Sequence, residues 1–90
     1  MSVTVRIPPP LRPLTGGADE ISVEGATVKD ALDALDVKHP GLKERICDDR
    51  GVRRSVNLFV GDEDIRFLDG LGTSLDAGAV ISVVPAIAGG

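Results

Sequence analysis

The apolar residues change period along the chain, and each change marks an element. Val3-Thr4-Val5-Arg6-Ile7 alternates apolar with polar, which predicts a half-buried strand. Pro8-Pro9-Pro10 ends it, because proline lacks the ladder donor and fixes φ. Leu11 to Gly17 turns the chain, and Asp19 to Glu24 alternates again with Ile21 and Val23 on one face. Two strands this close in sequence predict an antiparallel hairpin with a proline-stiffened loop. After Gly25-Ala26 the period becomes 3.6: Val28, Ala31, Leu32 and Leu35 fall at i, i+3, i+4 and i+7, one face of a helix. Thr27 is a good N-cap, with Asp30 completing a partial capping box. Lys29, Asp30, Asp33 and Asp36 take the other face or its border.

His39-Pro40-Gly41 ends that helix, and Leu42 and Ile46, at helical spacing, predict one or two further turns over Leu42 to Cys47. Asp48 to Arg54 reads as a charged turn containing glycine. Ser55 to Val60 is the third strand, with Val56, Leu58 and Val60 on one face and Asn57 and Phe59 on the other. Gly61-Asp62 turns the chain, Asp64 to Phe67 reads as a short edge strand, and Gly70, Gly72 and Gly78 interrupt the stretch between it and the last strand. Val80 to Val84 is apolar at nearly every position, the pattern of a central strand covered on both sides, and Pro85 stops it. The order ββαββ predicts an α+β domain, a mixed sheet with one main helix on one face. Only the first and last strands are joined through that helix, so they can lie parallel at the centre. The pattern predicts the β-grasp fold, with residues 1–85 as the domain and 86–90 as a flexible C-terminal diglycine tail.

Composition narrows the function. At 90 residues the chain is one domain, and 42% apolar with 27% charged residues is ordinary for a globular protein. No apolar run approaches the roughly 20 residues of a membrane span, and Met1 onward does not read as a secretory signal, so the expected location is cytoplasmic. Ten basic against fourteen acidic residues give a net charge of −4, the wrong sign for a phosphate backbone. Two phenylalanines are the whole aromatic content, which argues further against nucleic acid. Cys47 is the single cysteine and His39 the single histidine, so there is neither a disulfide nor a zinc site to expect. Cys47 reads as a buried structural thiol, and Asp62, Glu63 and Asp64 as a solvated rim rather than a cation site. Thr15-Gly16-Gly17 lacks the lysine and following helix of a phosphate loop.

The informative feature is Ala86-Ile87-Ala88-Gly89-Gly90, which has no polar side chain. Without Cβ, Gly89 and Gly90 can enter a channel too narrow for side chains. The terminal carboxylate, with an ordinary pKa of about 3.3–3.7, is ionised and able to attack the α-phosphate of ATP held by a partner. Such an end is expected to be held by a partner's cleft or a neighbouring molecule. Phe59 and Asn57, opposite the face the helix would cover, are candidates for a partner interface, with Phe59 exposed as an aromatic anchor. Arg53 and Arg54 form the best basic pair for acidic partner residues.

Val3-Thr4-Val5, His39-Pro40-Gly41-Leu42, Val56-Asn57-Leu58-Phe59-Val60, Glu63-Asp64-Ile65-Arg66-Phe67 and Val84-Pro85-Ala86-Ile87-Ala88-Gly89-Gly90 together resemble the MoaD/ThiS family of ubiquitin-like sulfur carriers. The likeness is strongest to its actinobacterial branch, used in cysteine biosynthesis. Ala77-Gly78-Ala79 departs from a usually acidic turn. The resemblance implies a protein co-substrate, not an enzyme. An activating adenylyltransferase of the ubiquitin-activating type would adenylate Gly90 with its own ATP, and sulfur transfer would leave a thiocarboxylate there. Gly89, Ala88, Ile87 and Ala86 would lie in the partner's cleft, and Val84 matches an apolar interface position. The acceptor would be a cysteine synthase, a thiazole-synthase-like enzyme or a thiosugar synthase, and a metallopeptidase would release cysteine. The chain would bind no cofactor or metal, meet no membrane or nucleic acid, and be a monomer when free. Two alternatives stay open: a ubiquitin-like modifier conjugated through Gly90 to lysines, and a plain β-grasp interaction domain with an idle tail.

Overall fold

The computed structural model describes residues 2–86. Strands β1 (Ser2–Arg6), β2 (Glu20–Glu24), β5 (Val56–Val60), β6 (Glu63–Asp64) and β7 (Val80–Pro85) form one mixed sheet in the order β2-β1-β7-β5-β6. β1 runs antiparallel to β2 and parallel to β7, with Val5 opposite Ile81, so the first and last strands meet at the centre as expected. β7 then pairs antiparallel with β5 from Val56 to Val60.

The predicted hairpin between β1 and β2 exists, but its loop is a 3₁₀ turn, Pro9–Thr15, rather than irregular chain. Prolines at its start need no intrahelical donor there. The buried Thr15 hydroxyl lies within hydrogen-bond distance of the carbonyls of Arg12 (3.0 Å) and Ala18 (2.8 Å). Helix α1 (Val28–Lys38) starts where Thr27 accepts a hydrogen bond from the Asp30 amide at 3.2 Å, and it buries Val28, Ala31, Leu32 and Leu35 completely. Gly25 seats its first turn: a Cβ there would lie 2.7 Å from the Ala31 amide nitrogen. The joint to α2 (Leu42–Ile46) is held by Asp36, whose Oδ1 accepts from the amides of Gly41 and Lys43.

The segment read as a charged turn over 48–54 carries a small antiparallel pair, β3 (Cys47–Asp48) with β4 (Gly51–Val52). Two residues per strand are too few for alternation to register in the sequence. The edge strand read over 64–67 is also shorter than expected. β6 stops at Asp64, and Ile65–Phe67 forms a 3₁₀ turn.

The core lies between the helices and one face of the sheet, where Val3, Val5, Val23, Leu58, Ile81 and Val83 pack with Leu32, Leu35, Leu42 and Ile46. Among the described residues no helix covers the other face. β7 buries Ile81 and Val83 while Val80 and Ser82 are half-buried and Val84 is exposed, so it is not the strand covered on both sides that its sequence suggests.

Candidate functional site

The open face of the sheet converges on the end of β7. Asn57 stands opposite Val84 and Phe59 opposite Ser82, so these four side chains form one patch across β5 and β7. The expected exposure of Phe59 is corrected: it is half-buried, flanked by its cross-strand neighbours Ser82 and Asp64. The exposed aromatic is Phe67, at 83%. An edge strand over 64–67 would have put Phe67 on the same face as the buried Ile65. In a 3₁₀ turn, with three residues per turn, residues two apart diverge.

Asp64 organises this region. Rather than lying on a solvated rim with Asp62 and Glu63, it is 8% exposed. Its Oδ1 accepts from the Arg66 amide at 2.8 Å, the turn geometry Asp favours, and its two oxygens accept from the Arg66 guanidinium at 2.7 to 3.2 Å. The guanidinium and this backbone bond hold the Asp64 carboxyl below its usual range. The same guanidinium donates to Asn57 Oδ1 at 3.0 Å. Arg66 thus ties the third strand's open-face residue to the edge turn. Neither Asp64 nor Arg66 stands out by composition; the signal is the Asp-x-Arg spacing after a hairpin turn.

The described part of the tail is Ala86, half-buried, whose amide donates to the Ser55 carbonyl at 2.8 Å. That bond carries the β5–β7 pairing one residue past Pro85. Ile87, Ala88, Gly89 and Gly90, and the cleft expected to hold them, lie outside the described residues. Arg53 and Arg54 are exposed just before Ser55, at the same end of this pairing as Ala86; Arg53 Nε donates to the Glu44 carbonyl at 2.7 Å. Cys47 is buried, as expected, and burial raises its thiol pKa, which disfavours the thiolate. Asp33 is held low by hydrogen bonds from Lys43 and Lys29 on the helical surface, away from the sheet. Among the described residues no group of His, Cys, Asp and Glu could hold a metal ion, and no helix is long and apolar enough to cross a membrane.

A small mixed sheet gripping one main helix, with its last strand leading from the open face to the tail, defines a ubiquitin-like β-grasp protein. The chain belongs to the ThiS family, whose model matches residues 5–90. It is 41% identical to the sulfur carrier protein CysO of Mycobacterium tuberculosis over the full length of both. It superposes with a TM-score of 0.92 and 40% identity on a chain of the Amycolatopsis orientalis BexX/CysO complex, covering 98% of this chain and 99% of that one. It is also 39% identical over 67 residues to small archaeal modifier protein 3 of Haloferax volcanii, covering 74% of this chain and 73% of the relative.

Proposed function

We propose that this chain is a sulfur carrier: a protein co-substrate whose Gly90 carboxylate is activated and loaded with sulfur. The observation that carries this reading is the full-length relation to a sulfur carrier protein, with the family match running through Gly90. In the proposed cycle a carboxylate oxygen of Gly90 attacks the α-phosphate of ATP in an adenylyltransferase, releasing pyrophosphate. Hydrosulfide delivered by a donor then attacks the acyl carbon, displaces AMP and leaves a thiocarboxylate. The chain supplies the nucleophile and its handle, and the partners supply catalysis and ATP. The thiocarboxylate then serves a sulfur-accepting synthase, and in a cysteine route a metallopeptidase frees the product, all in the cytoplasm.

The docking surface is the open-face patch of Asn57, Phe59 and Val84. Its apolar members sit beside the strand that leads into the tail, so one partner can grip the sheet and thread Ile87 to Gly90 at once. A BexX/CysO complex among the solved relatives supports a partner protein for this fold. The relation to an archaeal modifier supports a second reading, conjugation through Gly90 to lysines.

Intact mass with fragmentation, on protein from its own cells, separates these readings. Replacement of one oxygen by sulfur at Gly90 is expected. Branched lysine adducts ending in Gly90 would favour the modifier. A Gly90 that stays unmodified and inert with ATP, an activating enzyme and a sulfur source would overturn both.

A further inference from the structure

The fold leaves one edge of its sheet incompletely paired. β6 covers only Phe59 and Val60 of β5, so among the described residues no strand pairs with Val56, Asn57 and Leu58 on the side away from β7, although the Val56 amide donates to the Arg53 carbonyl at 3.0 Å. Alongside that edge runs a groove of about 440 Å³, bounded by β4 on one side and by the 3₁₀ turns at Ile65–Phe67 and Gly70–Gly72 on the other. Its apolar lining includes the half-buried Val52, Val56 and Leu71. Its other notable residues are arginines: Arg50, Arg53, Arg54 and Arg66, four of the ten basic residues of a chain with net charge −4. Two of these are engaged, Arg66 with Asp64 and Asn57, and Arg53 with the Glu44 carbonyl. The guanidiniums of Arg50 and Arg54 have no carboxylate partner among the described residues, although Asp48 and Asp49 precede Arg50 in the chain.

From this we infer that the groove is a docking site for an extended acidic segment of a partner protein. The segment adds beside Val56–Leu58 through its backbone, seats an apolar side chain against Val52, Val56 and Leu71, and places carboxylates against Arg50 and Arg54. An open strand edge supplies main-chain pairing, and the pockets beside it supply specificity. Two exposed cations beside an apolar lining select an anionic ligand, because a cationic one meets like charge. The groove borders the Phe59 patch at Asn57, which lines both, and its occupation does not depend on the chemistry of Gly90.

The test uses the ¹⁵N-labelled full chain and a synthetic pentapeptide alternating aspartate with isoleucine, with the lysine–isoleucine analogue as control. The expected result is saturable movement of the Val56, Leu58 and Leu71 amide signals with the acidic peptide only. Binding should weaken at least tenfold in Arg50→Glu/Arg54→Glu, and it should weaken as salt is raised. The milder pair Arg50→Ala/Arg54→Ala guards against a fold defect, since its spectrum should stay native while binding still falls. Equal binding of the lysine peptide, movement confined to Phe59 and Ser82, or no saturable binding would each overturn the proposal. The last result would leave the arginines as guards against edge-to-edge pairing.

Discussion

The two faces of the central sheet alternate along the same strands and do different work. On the covered face Val3, Val5, Leu58, Ile81 and Val83 are buried beneath the helices. On the open face Asn57, Phe59, Ser82 and Val84 are half-buried or exposed, and Arg66 pins their neighbourhood through Asp64 and Asn57. Successive residues of β7 belong to opposite faces, so valine is core at position 83 and surface at position 84. An apolar side chain on the covered face contributes to stability, whereas one left on the open face is available to a partner.

The largest test of that contrast is Leu32→Ala. Leu32 is fully buried at the centre of α1 and packs in the core under the sheet. Its loss should destabilise the fold by about 2–5 kcal/mol, through lost transfer energy and a cavity. Urea unfolding checks this, and a loss under ~1 kcal/mol would mean the helix does not close the core as described.

Next comes the Asp64–Arg66 pair at the rim of the open face. The folded-state carboxyl is held below its ordinary value of 3.8, so its contribution is complete above that value and disappears as pH falls through the lower folded value. Asp64→Asn, which keeps an oxygen for the Arg66 amide, should be less stable than the parent at neutral pH. The gap should narrow below about pH 4, as the parent's own carboxylate takes up its proton. Midpoints of urea unfolding at several pH values would show it. A gap independent of pH would assign the effect to hydrogen-bond geometry rather than charge.

Much of the covered side is legible in the sequence because its periods are clean. The Val28, Ala31, Leu32, Leu35 repeat and the Thr27 cap identify α1, and the alternation in β1 and β2 identifies the hairpin. Connectivity through α1 then places β1 beside β7. The open side is harder for a physical reason. Val80 to Val84 has Ser82 as its single polar residue, and a nearly continuous apolar run looks the same whether both faces are packed or one is kept apolar for docking. Period two misplaces Phe67, because the chain turns there with period three. The β3–β4 pair is too short to show any period. The Arg66 network depends on a turn that brings residues 57, 64 and 66 together, and no spacing rule spans that hairpin. The tail is conspicuous in sequence because five successive residues lack polar side chains.

The smallest expected effect separates the faces most sharply. Val83→Ala removes two methyl groups from a side chain that is 4% exposed on the covered face, and should destabilise by about 2 kcal/mol. Val84→Ala makes the same chemical change one residue later, at a side chain 39% exposed on the open face, and should stay within about 0.5 kcal/mol. The strand, its pairing with β5 and the propensity difference are common to both, so the difference between them isolates burial. Parallel urea titrations read it directly. Equal losses would mean that the open face is packed in solution, by a second copy or by the tail, and its residues would no longer be free to receive a partner.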